Sequence, residues 1–166
     1  MIVQIRIDDR LLHGQVVTTW ARYLDITAIV VANDEVAKDE IAKKMLLLAG
    51  SNTGKKVTVR TVQDAITLLN DPRADKMKVL LIVDSPKDAY ALASVLKVDN
   101  INVANYVKNK NSESINLAFA CFADKEDFMY FEKLCAITNH IVIQKIPTDT
   151  PSDFKKIIEN SKGKIK

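Results

Sequence analysis

The stretch Asp8-Asp9-Arg10-Leu11-Leu12-His13-Gly14-Gln15 holds the residue types and spacing that could carry a reaction. It follows the β-branched run VQIRI and leads into an apolar helical segment through Val16, Val17 and Trp20. His13 therefore falls between the end of a strand and the start of a helix. A helix N-terminus presents unpaired N–H groups and a partial positive charge, which suits an anion such as phosphate. Gly14 removes a side chain beside His13, so backbone amides can approach a bound group. Arg10 adds a planar fork of donors for the same oxyanions. A neutral imidazole is nucleophilic near neutral pH, so the set could accept a phosphoryl group and stabilise it. His13 is the candidate acceptor, with Arg10, Gly14 and Gln15 for phosphate binding and Asp8 in support. Each has a plainer reading. His13 could be a structural histidine tying the loop together, Arg10 and Asp8 a surface ion pair of little energetic value, and Asp9 a helix cap or a solvated charge. Trp20 and Tyr23 are expected to pack the helix onto the sheet, with the alternative that an aromatic close to the active edge faces a docking partner.

Other stretches offer less. His140, the only other histidine, follows Thr138 and Asn139 at a helix end and precedes the run IVIQ, where it reads as a connector. Gly50-Ser51-Asn52-Thr53-Gly54-Lys55-Lys56 imitates a phosphate loop. It has three residues between the glycines where four are required, lacks Ser or Thr after the lysine, and precedes a strand. No GxGxxG, HExxH or GxSxG occurs, so no dinucleotide, zinc or serine-hydrolase signature is present. Asp8, Asp9 and Asp84 suggest a receiver domain with Mg²⁺ and an aspartyl phosphate. That reading needs an aspartate after the third strand, where Arg60-Thr61 stands, and a lysine after the fifth, where Ala104-Asn105 stands. No metal or cofactor is expected. Cys121 and Cys135 lie in apolar surroundings and read as buried, reduced thiols.

Seven short runs frame these residues: Ile2 to Ile7, Ala28 to Ala32, Lys56 to Arg60, Val79 to Val83, Ile101 to Ala104, Ile115 to Phe119 and Ile141 to Gln144. Helical spacing marks Gln15 to Tyr23, Asp39 to Ala49, Val62 to Leu69, Lys87 to Leu96 and Glu126 to Ala136, with a last helix from Asp153 to Asn160 capped by Ser152 or Asp153. The alternation predicts an α/β fold in three layers, α/β/α, with a mostly parallel sheet of about seven strands and an antiparallel edge strand. IVVA and VLLIV lack polar alternation, as expected for strands covered on both faces. The polar stretch Asn105 to Ser114 reads as an exposed loop joining two late strands as an antiparallel pair, and the tail SKGKIK is expected to fray. The 166 residues, 48% hydrophobic, suit one domain, 1–166. A net charge of +3 advertises neither a nucleic-acid groove nor a polybasic anchor. The opening MIVQIRIDDR reads as no signal peptide, and no apolar run approaches the ~20 residues of a membrane span, so a cytoplasmic protein is expected.

The segment Arg6 to Val16, RIDDRLLHGQV, with Trp20 following, resembles the active-site signature of IIB subunits of bacterial sugar phosphotransferase systems, mannose/fructose/sorbose family. Val30-Val31-Ala32-Asn33-Asp34, Val83-Asp84-Ser85-Pro86, Ile101-Asn102-Val103 and Gln144-Lys145-Ile146-Pro147-Thr148-Asp149 resemble that family's segments in the same order. The resemblance covers nearly the whole chain. It implies a phosphoryl carrier that takes a phosphoryl group from a phosphohistidine on a IIA partner, holds it on His13 and passes it to a sugar entering through membrane subunits IIC and IID. Arg10 would be the charge-compensating arginine and His13 Nδ1 the atom phosphorylated. The protein would be a phosphohistidine–sugar phosphotransferase, cytoplasmic and peripherally associated with those subunits; a homodimer stays open, with no apolar stripe demanding it. Many family members carry a glycine pair where this chain has Ala104-Asn105-Tyr106. That departure motivates the alternative of a noncatalytic regulatory or adaptor domain with the same fold.

Overall fold

In the computed structural model, which describes residues 1–165, strands and helices alternate along the chain. The strands are β1 (Ile2–Asp8), β2 (Ala28–Ala32), β3 (Lys56–Arg60), β4 (Val79–Val83), β5 (Asn100–Asn105), β6 (Ile115–Ala118), β7 (Cys121–Ala123), β8 (His140–Ile143) and β9 (Ser152–Asp153). The helices are α1 (Gly14–Tyr23), α2 (Asp34–Lys38), α3 (Glu40–Ser51), α4 (Val62–Asn70), α5 (Pro86–Leu96), α6 (Lys125–Ile137) and α7 (Phe154–Ser161). Helix starts coincide with capping side chains. Asn33, Asp39, Thr61, Ser85, Asp124 and Asp153 each accept a bond from a first-turn amide. Lys162–Lys164 form a short 3₁₀ turn at the tail expected to fray, and Lys166 lies outside the described residues.

The main sheet has seven strands in the order β3-β2-β4-β1-β5-β8-β9. All its pairings are parallel except β8 with the edge strand β9. The expected class and strand number stand, but the membership differs. The run from Ile115 is outside this sheet, because β6 pairs only with β7 as a separate antiparallel hairpin. β5, flanked on both sides by parallel partners, has no edge for β6, so the antiparallel pair expected across Asn105 to Ser114 does not form.

Residue alternation assigns the two faces. Ile5, Ile7, Val79, Leu81 and Val83 point into the core under α4, α5 and α6, while Leu80, Ile82, Ile29 and Val31 meet Val17 and Ala21 of α1. Each such fully buried aliphatic side chain contributes about 1.5–3 kcal/mol. β1 thus sends its helix to one face while its neighbours β4 and β5 lead to elements on the other. The connections diverge above the end of β1, the position where open α/β sheets bind their ligands. α3 is the least buried of the long helices, with Ile41, Met45 and Leu48 on its outward side. Among the described residues no helix is long and apolar enough to cross a membrane.

Candidate functional site

Above the end of β1, the chain makes a turn closed by the Leu11 amide on the Asp8 carbonyl at 2.8 Å. Leu11 takes a left-handed φ of 58°, strained for a residue with a Cβ. Its side chain and that of Leu12 are buried beneath α1, and this apolar anchorage holds the turn. His13 follows as the N-cap of α1 in extended conformation, without a capping bond from its ring. The first turn of α1 contains no acidic residue, so its amides and partial charge stay available. Gly14 has φ +51° and open space where a Cβ would be; here glycine serves the backbone conformation. Gln15 lies exposed on the same turn.

Asp8 is the hub. Its carboxylate is fully buried and accepts from Arg6 Nη2 at 3.2 Å, Arg10 Nε at 3.0 Å, Arg10 Nη2 at 3.1 Å and the Arg10 backbone amide at 3.1 Å. His13 Nδ1 lies 3.9 Å from the same carboxylate. The expected surface ion pair of Asp8 and Arg10 is therefore corrected: one partner is buried and shared among two guanidinium groups and an imidazole. Arg10 remains 43% exposed and His13 30%, so both can meet a ligand. Burial, and behind it Arg10 and Arg6, push the His13 pKa below its ordinary value, against the opposing pull of Asp8. The ring is thus neutral near pH 7, the state a nucleophile requires. Nδ1 is buried and has no hydrogen-bond partner.

Arg6 was not among the candidates. It is fully buried in β1, its guanidinium 5.8 Å from the Trp20 ring, with Nε and Nη1 unpartnered by protein atoms. Burial lowers its pKa, with Asp8 opposing. A signal existed. An arginine two residues before an aspartate in a strand shares its face, and a covered strand can hold a cation only beside an anion. Arg6 and Asp8 lie on the α1 side of β1, opposite Ile5 and Ile7.

Asp9 is neither a helix cap nor a solvated charge. It accepts from Asn105 Nδ2 at 2.7 Å and from the amides of Val107 and Lys108 at 2.6 and 2.8 Å, while its own amide donates to the Asn105 carbonyl at 2.9 Å. Asn105, part of the departure from the glycine pair, thereby braces the active loop. Trp20 is buried as expected, its indole N–H donating to the Lys145 carbonyl at 2.9 Å, but Tyr23 projects into solvent and meets Trp20 only edge-on. Asp84 pairs with Lys108 at 3.2 Å and shares none of Asp8's side-chain partners. No group of three or more His, Cys, Asp or Glu fit to hold a metal occurs among the described residues. His140 opens β8, at the opposite edge of the sheet from His13. Cys121 is buried, its thiol pushed up to about 12 by burial, whereas Cys135 is only partly buried; both are free.

An open α/β sheet with a neutral histidine, a half-exposed arginine and a bare helix N-terminus at the divergence of its strands has the parts of a phosphoryl-handling protein. The model of the sorbose subfamily IIB component of the phosphotransferase system matches residues 2–166. The chain is 37% identical over 163 residues to the "Probable phosphotransferase enzyme IIB component" of Streptococcus pyogenes serotype M6, covering 95% of this chain and 99% of that one. It is 32% identical over 145 residues to the mannose-specific EIIAB component of Escherichia coli K12, covering 87% of this chain and 44% of that longer protein. The IIBSor domain of the sorbose permease from Klebsiella pneumoniae shares the fold, with a TM-score of 0.88 at 24% identity over 97% of this chain and 98% of that one. The chain belongs to the mannose/sorbose family of IIB components of the sugar phosphotransferase system. It is a phosphotransferase component of sugar uptake, and as such works with IIA and IIC/IID components.

Proposed function

We propose that the chain acts as one domain, 1–166, that accepts a phosphoryl group from phosphohistidine on IIA onto His13 and yields it to a sugar entering through IIC and IID. The observation carrying this reading is the neutral, partly exposed imidazole at the N-terminus of α1 beside the buried Arg6–Asp8 pair and the half-exposed Arg10. In the transfer, a lone pair of one His13 ring nitrogen forms the new N–P bond as the donor's N–P bond breaks; the departing donor imidazole takes up one proton from solvent while His13 releases the one on its other ring nitrogen, so both rings end neutral. Phosphoryl transfer demands positioning and charge stabilisation more than further covalent chemistry. Arg10 supplies the exposed fork of donors. Gly14, Gln15 and the following amides supply the helix end.

Charge arithmetic favours a carrier over a trap. Arg6 and Arg10 bring two positive charges, and Asp8 removes one. A phosphoryl dianion would be only partly compensated, which suits a group that must leave again. The family resemblance assigns Nδ1 as the phosphorylated atom, and Nδ1 here faces Asp8. In this reading the ring turns about its Cβ–Cγ bond before transfer, bringing Nδ1 out to the donor. Asn105 bracing the loop through Asp9 speaks against the adaptor alternative.

Incubation with a phosphorylated IIA component should label the wild type with an acid-labile, base-stable phosphate and leave His13→Ala unlabelled. Labelling of the variant would refute the assignment. The pair of opposite lability, base-labile and Mg²⁺-dependent, would mark an aspartyl phosphate.

A further inference from the structure

The β6-β7 hairpin closes through a two-residue tip, Phe119-Ala120, between the paired Ala118 and Cys121. Such tips ordinarily carry Asn-Gly or similar residues, which are soluble and tolerate positive φ. Here Ala120 adopts φ +57°, and Phe119 is 82% exposed, the most exposed large apolar side chain of the described residues. Neither residue serves the turn or the core. The backbone beneath is nevertheless held firmly. Tyr106 donates its amide to the Ala120 carbonyl at 2.8 Å and accepts the Phe122 amide at 2.8 Å, and its hydroxyl donates to Asp127 at 2.7 Å. An aromatic on a rigid support loses little entropy when covered.

This tip is continuous with the His13 site. From Tyr106 the chain passes at once to Val107 and Lys108, whose amides are gripped by Asp9 of the active loop. On its other side Phe119 has the Lys145 ammonium 5.3 Å from its ring, and the Lys145 carbonyl takes the indole N–H of Trp20 in α1. Phe119, Lys145 and Ala104 line one cleft of about 300 Å³. Val107 and Ile146, both more than a third exposed, leave from the same edge in the loops after β5 and β8.

We propose that Phe119, with Lys145, is the anchor on which the phosphorylated donor protein docks; this rests on the carrier reading above. Any protein handing a phosphoryl group to His13 must bring its own histidine to bonding distance. A standard interface of about 800 Å² per partner centred there reaches well beyond the loop. Aromatic side chains such as Phe are enriched at the cores of such contacts. Charge selects the donor over the membrane acceptor. The unphosphorylated rim, with the Arg10 guanidinium half exposed and the Lys145 ammonium over the Phe119 ring, complements an incoming phosphohistidine dianion, whereas the membrane subunits meet the protein after the added phosphoryl has offset that charge.

The test is the rate of labelling by phosphorylated IIA as a function of its concentration. Phe119→Ala should raise the half-saturating donor concentration at least tenfold with the saturating rate unchanged, and Phe119→Tyr should restore it. The side chain is exposed, so the urea midpoint of the variant should match the wild type, which separates docking from folding. Unchanged half-saturation in Phe119→Ala, or a defect confined to the later step with the membrane subunits, would overturn the docking proposal alone. Labelling of His13→Ala, or none of the wild type, would overturn the carrier reading and this proposal with it.

Discussion

Asp8 and Asp71 hold the arginine two residues onward with the same local geometry. In both, the backbone amide and Nε of the arginine meet one carboxylate oxygen, at 3.1 and 3.0 Å for Arg10 and at 2.9 and 3.0 Å for Arg73, and Nη2 meets the other oxygen. The surroundings differ. Asp71 caps a 3₁₀ turn at Pro72–Lys76, with Arg73 almost fully in solvent, and the contact with Arg73 holds its pKa down to about 2. Asp8 lies under the protein surface and is shared with buried Arg6 and with His13. One motif thus makes a local cap in water and a charge hub in the interior. The Asp-x-Arg spacing dictates the fork, while burial and additional partners decide whether it does chemistry.

The sharpest break of the comparison is the matched pair Asp8→Asn and Asp71→Asn. Asp8→Asn leaves Arg6 as a buried cation without its counter-ion and should destabilise the protein by roughly 3–5 kcal/mol. Urea denaturation measures this, and Arg6→Met in the same chain should recover most of the loss, because the orphaned charge is then gone. Asp71→Asn should leave the urea midpoint and the labelling rate at wild-type values. Equal losses in the two variants would show that the buried network is no more than a second cap.

Arg10 tests the functional side of the difference. It is half in solvent, and Asp8 keeps Arg6 when it is lost, so Arg10→Ala should change stability by less than about 1 kcal/mol. The labelling rate from phosphorylated IIA should nonetheless fall roughly 100-fold, the order found for removing one donor to a developing oxyanion. Arg73→Ala, lacking any such ligand, should transfer normally. A stability loss in Arg10→Ala that accounts for the whole drop in rate would make Arg10 structural.

Much of this was readable in the residues. β2, β3 and β4 fall where the apolar runs predict them, and His13 stands at the strand-to-helix junction that the run VQIRI and the following apolar helix imply. What escaped were relations across the sheet. Asp9's partners are about a hundred residues away in sequence, at Asn105, Val107 and Lys108, and only the β1-β5 pairing brings them together. The place of Ile115 to Ala118 was lost for a similar reason, since an isolated hairpin and a sheet strand show the same short apolar run. Arg6 was different. Its face was deducible from the two-residue period, and the cue was the presence of a charge in a strand otherwise covered on both sides.

The smallest effect concerns how the hub sets the His13 proton. Burial first, then Arg10 and Arg6, lower the His13 pKa, while Asp8 raises it. The unprotonated ring is the acceptor, so the labelling rate should rise with pH through a midpoint below the ordinary value of 6.5 and stay level above it. Removing each partner should move that midpoint in opposite directions. Arg10→Ala takes away a repelling cation and shifts it up, whereas Asp8→Asn takes away the attracting anion and shifts it down. Proton linkage fixes the matching sign for stability. Between the ordinary pKa and the depressed one, the unfolded chain binds a proton that the folded loop does not, so His13 subtracts stability as pH falls through this window. NMR titration of the imidazole in the three proteins checks both orders. A wild-type midpoint above 6.5 would mean that Asp8 outweighs burial and the two arginines.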